Sequence, residues 1–437
     1  HCKVSYDFYH RYTADEHSLR MVRFLEELEN KPAEFKEFSM NYQQLHSKAL
    51  LKLSTFIQPI EENKNFNGSN ENLKNILPAI KHIDLNSKEC KVINFLASNA
   101  YLMIETALHS DINQPAVIEQ FAKKVRSIEK LDLLYLRSYS ELRAVAPGTL
   151  TSWKKVLLSE LHQRSCDYLK NPESLHSRSL TTWLEVYKIL HWEFPPEDLE
   201  FHFNNLPEDY LETVKVEEAA LHMRLTRSLK NKSFIFNHYY NAAGKFHQVT
   251  LCCLTKFDAF KTLVGTLTAQ NINILEAKIF VRKDGIIIIS ATIEQSERLT
   301  EDNLEIWKNL KQDLKSIFEG QGNLQKILTN RTRYVSKKEP TKPRTSKVVI
   351  DNSSDSSFSI VRIEVRDHIG MLYKISKVFA DFEIQIHSAK ISTQGGLGID
   401  VFYISLQQKK LLLNNIIRRV QEEIKLVMTV QNPEDID

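Results

Sequence analysis

The sequence predicts an α+β protein, and two observations carry that reading. The first is a change of period. From residue 1 to about 195 apolar residues recur at helical spacing with almost no β-branched alternation, whereas beyond about 246 isoleucines and valines at two-residue spacing alternate with helical stretches. The second is an internal repeat. Val365 to Ile391 passes within 27 residues from a strand end through a turn and a helix into a second strand. The same plan recurs 112 residues earlier without a gap: Ile272, Ile274, Ala277, Lys278 and Ile279 stand where Ile384, Ile386, Ala389, Lys390 and Ile391 stand.

Taken in order, residues 1–195 read as one all-α domain. Leu19, Val22, Leu25 and Leu28 recur at helical spacing, as do Leu133, Leu134, Leu136 and Leu142. Asn, Gly and Ser between Glu61 and Asn75 mark a polar loop, and Pro195-Pro196 closes the domain. Residues 196–240 read as a helical bridge that includes Glu217 to Leu229. The first repeat is placed at 246–353. Its strands are Val249 to Leu254, Ile272 to Val281 and Gly285 to Ile293, its helices Phe260 to Leu267 and Asn303 to Phe318, with Asp284-Gly285 as a hairpin turn. A basic connector, Arg331 to Lys347, leads to a strand at Lys347 to Ile350 that closes this repeat. The second repeat is placed at 356–437.

Composition bounds the function classes. A chain of 437 residues with 42% hydrophobic and 26% charged residues reads as a soluble globular protein of about three domains. A formal charge of +3 gives no general pull toward nucleic acid or membrane, so neither is expected as a partner. The five cysteines show no paired spacing, which fits reduced thiols and a cytoplasmic location. No run spans a bilayer, and no signal peptide is read. The chain opens on His1 inside a polar motif, so a piece of a longer protein is expected.

Asp367-His368-Ile369-Gly370-Met371-Leu372, followed by a helix, Ile386 to Ile391 and then Gly396 to Ile404, resembles an ACT domain, a small βαββαβ module that holds amino acids. His1 to Arg20 and Leu131 to Leu161 resemble the helical HD domain of the bifunctional uridylyltransferase and uridylyl-removing enzymes that modify the nitrogen-signalling protein PII. The segment from Leu206 to Leu225 and the two repeats follow in that family's order. The resemblance implies an all-α HD-like domain followed by two ACT-like, ferredoxin-like domains. The family's nucleotidyltransferase motif, a Gly-Ser with paired aspartates, is missing.

In that family the HD domain holds a divalent ion that activates water for attack on a phosphodiester, which needs converging imidazole and carboxylate ligands. By resemblance the first histidine is His17, but the His-Asp pair falls on Gln58 and Pro59, a further histidine on Asn70, another on Ala100, and the late aspartate on Glu141. His17 and Glu141 are relics, and no catalytic or metal-ligating set is assigned. Mg or Mn would be expected only if the site were active. Recruiting His10, His46 or His82 could rebuild a metal site, but His10 and His17, seven residues apart on a helix, lie roughly 10 Å apart.

For the repeats the argument is electrostatic and steric. A turn at a helix N-terminus offers N–H groups to a carboxylate, and a glycine admits close approach. Asp367, His368, Ile369, Gly370, Met371 and Leu372 are the candidate ligand site. In the first repeat Thr255 replaces Asp367 and Asp258 replaces Gly370, so a carboxylate would repel the ligand. The favoured reading is an amino-acid-sensing relative of the PII-modifying enzyme, with glutamine as effector by resemblance, a PII-like protein as possible partner, and pairing of repeats within or between chains. Two alternatives stand beside it: a fragment of an active bifunctional enzyme whose transferase domain lies upstream of His1, and a non-catalytic ACT scaffold.

Overall fold

The computed structural model describes residues 12–30, 35–56, 83, 85–174, 178–254, 258–295, 299, 304–332, 347–353, 355, 357–366, 370–394 and 397–429. The chain divides into two compact units, His1–His176 and Ser177–Asp437.

The first unit is helical over its described residues: α1 (Ala14–Asn30), α2 (Lys36–Gln44), α3 (Lys48–Phe56), α4 (Ser87–Ser98), α5 (Leu102–His109), α6 (Pro115–Val125), α7 (Ile128–Val145) and α8 (Ser152–Lys170). Capping chemistry sets several starts. Asn86 and Glu89 form a reciprocal capping box at α4, and the Ser127 and Thr151 hydroxyls cap α7 and α8. Every residue of α7 from Leu133 to Leu142 is buried, as in a helix surrounded on all sides. That run includes Arg137, Ser138, Ser140 and Glu141, so this core carries polar groups that must find partners. The stripe expected from Leu19, Val22, Leu25 and Leu28 needs correction. Leu19 is 56% exposed, and the inward face of α1 is His17, Met21, Leu25 and Leu28, because the histidine rather than the leucine continues the four-residue ridge.

The second unit opens with α9 (Arg178–Leu190), α10 (Pro196–Asn204), α11 (Tyr210–Thr213) and α12 (Val216–Leu229). The first repeat comprises β1 (Phe234–Asn241), β2 (Phe246–Cys253), α13 (Asp258–Ala269), β3 (Ile274–Val281), β4 (Ile287–Glu294), α14 (Leu304–Phe318) and α15 (Leu324–Thr332). The second comprises β5 (Lys347–Asp351), β6 (Ser359–Arg366), α16 (Met371–Asp381), β7 (Ile384–Gln394), β8 (Leu397–Leu406) and α17 (Asn414–Thr429). All strands form one antiparallel sheet in the order β1-β2-β4-β3-β7-β8-β6-β5. On one face Leu251, Ile279, Ile289, Ile363 and Phe402 pack under α13, α14, α16 and α17. On the other, Cys252, Phe280 and Ile288 pack against Val186, Leu190, Tyr210 and Met223. Burial on both faces explains why these strands read as continuous apolar runs.

Strand placement differs from the sequence reading in three respects. Residues 234–241, read as part of a helical bridge, form β1, which pairs with β2 from Phe234↔Cys253 to Asn241↔Phe246. The segment FIFNHYYN has aromatic β-propensity, but its lone hydrophobic face is short and easily read as an extension of α12. The strand at 347–351, expected to close the first repeat, pairs instead with β6, Val348 opposite Ile363. Each repeat therefore runs β-β-α-β-β-α, with α15 added at the end of the first, and the outer strand of each arrives first rather than last. Finally, residues 178–190, assigned to the first domain, belong to the second unit, because Val186 and Leu190 pack on its sheet. The Asp284-Gly285 turn is as expected, with Gly285 at φ +88° and Arg282 N–H donating to the Ile286 carbonyl.

The two repeats join through β3 and β7, which pair antiparallel with Ala277 opposite Ala389. Those two alanines are equivalent by the 112-residue spacing, so a local two-fold axis passes between them. On either side lie Glu276↔Lys390 and Lys278↔Ser388. Lys390 Nζ is 2.8 Å from Glu276 Oε1, a buried ion pair across the seam. At the symmetry-related place Ser388 supplies no charge, and Lys278 Nζ donates to the Thr213 carbonyl at 2.6 Å.

Candidate functional site

His17 and Glu141, the two residues that the resemblance singles out in the helical unit, converge. His17 on α1 and Glu141 on α7 lie 124 residues apart in sequence, yet His17 Nε2 is 3.0 Å from Glu141 Oε1, with both side chains buried. A carboxylate only accepts, so the imidazole N–H donates. Arg137, one turn before Glu141, is also fully buried and donates from Nη1 to the Ser54 carbonyl at 2.7 Å. Burial pulls its guanidinium pKa down, and the Glu141 charge opposes that shift. Ser18 Oγ donates to the Thr55 carbonyl, so α1, α3 and α7 are tied together around the pair. Here an arginine supplies positive charge inside the core, and the His17 imidazole N–H is directed at the Glu141 carboxylate.

The resemblance implies a divalent ion held by converging imidazole and carboxylate donors. Among the described residues no group of three His, Cys, Asp or Glu side chains is placed to hold an ion. Ala100 is a buried methyl, and His46 is an exposed residue beyond the end of α2. The described donors do not fit a divalent ion. Gln58, Pro59, Asn70, His10 and His82 lie outside the described residues.

At the predicted ligand turn, Gly370, Met371 and Leu372 are described, whereas Asp367, His368 and Ile369 lie outside the described residues, as does Thr255. Gly370 has φ +88° and precedes α16, whose first turn receives no side-chain cap from it. This left-handed backbone explains the glycine. A Cβ on it would stand 3.6 Å from Thr268 Cγ2 of α13, so the turn faces the other repeat. Met371 is buried in the sheet core, and Leu372 packs at its margin. The helices α13 and α16 approach closely because Gly265 lacks a side chain, where a Cβ would meet Leu324 and Tyr373 at 2.8–3.0 Å. Asp258 occupies the first position of α13 with its carboxylate 2.5 Å from Lys261 Nζ. The helix end of the first repeat therefore carries a carboxylate at its first position, whereas the first turn of α16 contains no acidic residue.

Sequence reasoning missed a buried polar network on the opposite face of the first repeat. His222 joins Tyr210 Oη (2.7 Å from Nδ1) to Ser290 Oγ (2.8 Å from Nε2). Arg282 grips Asp284 with two bonds and also donates to His202 Nδ1 at 2.5 Å. Burial, then the Arg282 charge, pushes the His202 pKa down to about 2. Burial likewise lowers His222 to about 4, with Glu218 opposing and Lys278 reinforcing the shift. The only signal in sequence was a histidine on the apolar face of α12, beside Ala219 and Met223.

Residues 347–433 match a family described as an ACR9-like, ACT-like domain. That match begins with β5, in agreement with its pairing in the second repeat. Over 97% of its length the chain is 25% identical to the bifunctional uridylyltransferase/uridylyl-removing enzyme of Zymomonas mobilis, covering 46% of that protein. Its homologues are bifunctional uridylyltransferase/uridylyl-removing enzymes. The enzyme of that name from Azospirillum brasilense is 25% identical over 92% of the chain and 44% of its own length, and that from Acinetobacter baumannii strain AYE is 23% identical over 97% and 49%. The chain thus spans about half the length of the curated uridylyltransferase/uridylyl-removing relatives it matches. No solved structure matches the chain. No helix among the described residues is long and apolar enough to cross a membrane.

Proposed function

We propose that the chain is a regulatory relative of the uridylyltransferase/uridylyl-removing enzymes: an HD-like helical domain whose hydrolase site is lost, followed by two ACT-like domains of which the second binds an amino acid such as glutamine. Its macromolecular partner on this reading is a PII-like protein. The observation that carries the binding half is the contrast between equivalent helix ends. Gly370 holds a left-handed turn at an uncapped helix N-terminus facing Thr268, whereas Asp258 places a carboxylate at the corresponding helix end. An amino-acid carboxylate is attracted by the first arrangement and repelled by the second. Loss of the hydrolase is supported by the direct His17–Glu141 bond and by Ala100 where a ligand would stand.

The test is calorimetry with glutamine and other amino acids on the whole chain, because β5 and the seam with β3 make residues 356–437 an incomplete unit. One equivalent should bind, and Gly370→Asp should abolish it while Asp258→Asn leaves it intact. A Gly370→Asp chain that binds as tightly as its parent sinks the assignment.

A further inference from the structure

We propose that the first repeat supplies the ammonium half of the site on the second: the C-terminal end of α13, with the Thr268 hydroxyl, holds the α-ammonium of the amino acid whose carboxylate sits at the N-terminus of α16. The inference rests on the amino-acid reading above. It adds the class of ligand, a zwitterion, and the residue that distinguishes it from a plain carboxylic acid.

Two helix ends of opposite polarity meet at this turn. Gly370 immediately precedes α16, and a Cβ built on it would stand 3.6 Å from Thr268 Cγ2. Thr268 is the last residue but one of α13. A helix N-terminus carries about half a positive charge and a C-terminus about half a negative one, so a carboxylate is favoured on the Gly370 side and an ammonium on the Thr268 side. The carbonyls at that end of α13 are partly engaged: Leu267 accepts from Gln270 and Ile272, and Thr268 from Asn271. The Thr268 hydroxyl is not. Thr266, two residues earlier, turns its hydroxyl back onto the Thr262 and Leu263 carbonyls, as threonines within helices commonly do. Thr268 is only 9% exposed, yet its hydroxyl bonds to no described group. A buried hydroxyl without a partner needs one, and its oxygen can accept from an ammonium N–H. The chain carries its own contrast, because the 112-residue spacing sets Asp258 against Gly370 and Ala380 against Thr268. The turn of the first repeat thus has a carboxylate at its helix start and a methyl in place of the hydroxyl. Asp258 lies ten residues before Thr268, roughly 15 Å along α13, so its charge acts at the other end of that helix.

The experiment is titration calorimetry of the full chain with glutamine and with glutaric acid monoamide, the same molecule without its ammonium, on the parent, Thr268→Val and Thr268→Ser. Valine keeps the branched shape and removes the hydroxyl, and serine restores it. The parent should bind glutamine at one site and the monoamide about tenfold or more weakly, the difference expected for a hydrogen bond to a charged group. Thr268→Val should weaken glutamine by a similar factor and leave the monoamide unchanged, while Thr268→Ser binds both like the parent. Urea midpoints equal to the parent's certify the fold of the variants, and the comparison of the two ligands on the parent needs no variant at all. A parent that binds no amino acid overturns the proposal together with the reading on which it rests. Where the parent does bind glutamine, three results overturn the proposal alone: monoamide bound as tightly as glutamine, glutamine affinity unchanged in folded Thr268→Val, or equal losses of both ligands in that variant.

Discussion

Gly370 separates two effects that one substitution would usually confound. An L-residue at φ +88° costs roughly 1 kcal/mol, but a methyl there meets only Thr268 Cγ2 at ordinary contact distance. Gly370→Ala should therefore lower the stability of the chain by about 1 kcal/mol in urea unfolding and still bind glutamine, whereas Gly370→Asp should lose binding out of proportion to stability. Equal loss of binding in both variants would mean that backbone shape, not the carboxylate, governs the site. At the buried pair of the helical unit, removing His17 takes a hydrogen bond from the Glu141 carboxylate in the core. His17→Ala should cost about 1.5–3 kcal/mol, the range for a hydrogen bond to a charged group. It should not change the metal content of the purified protein, which we expect to hold no stoichiometric divalent ion and to show no nucleotidyl-ester hydrolysis in Mn²⁺. Bound metal together with turnover that His17→Ala abolishes would restore the hydrolase.

Among the elements, the seam between β3 and β7 is held by backbone pairing and by one buried ion pair, Lys390–Glu276. Removing one partner leaves the other charge uncompensated away from water, so Glu276→Ala should destabilise by about 3–5 kcal/mol. Replacing both by apolar residues of similar size, Glu276→Leu with Lys390→Met, should recover most of that loss. A single variant as stable as the parent would show that the ammonium reaches solvent. This seam was partly legible in the sequence, because the 112-residue spacing that aligns Ala277 with Ala389 is the spacing that the two-fold pairing realises. The outer strands were not legible. β1 and β5 lie before the repeats they complete, and their local patterns are compatible with either neighbour, so only the register with β2 and β6 decides. In the helical unit the residue types at positions 17 and 141 were legible through the resemblance, but their direct bond was not, since it depends on how α1 packs on α7. The Tyr210–His222–Ser290 chain had no sequence signal beyond the histidine on the apolar face of α12, because each member occupies a position that a core residue could fill.

Across the whole molecule, the buried histidines make the second unit sensitive to acid in a defined window. His202 and His222 are neutral in the fold, with pKa values lowered to about 2 and about 4, while an unfolded histidine titrates near 6.5. Below about 6.5 the unfolded chain therefore binds protons that the folded chain refuses, so stability is complete above that pH and falls as pH drops toward 4. Each histidine contributes a slope of up to about 1.4 kcal/mol per pH unit. Arg282 beside His202 and Lys278 near His222 reinforce the neutral forms, and Glu218 opposes at His222. The Glu218 carboxyl is itself held below its usual range: burial alone would raise it, but Lys278, His222 and hydrogen bonds from Ser290 and the Lys215 backbone together outweigh burial, so its share is lost only at lower pH. Urea midpoints of the chain between pH 7.5 and 5 should accordingly fall with acid, and His202→Gln with His222→Gln should make that dependence shallower, leaving the share of buried His387, whose pKa burial also lowers to about 4, while lowering stability at pH 7.5. An unchanged slope in the double variant would place the acid sensitivity elsewhere. A flattened one would locate it in the layer where α10 and α12 meet the sheet.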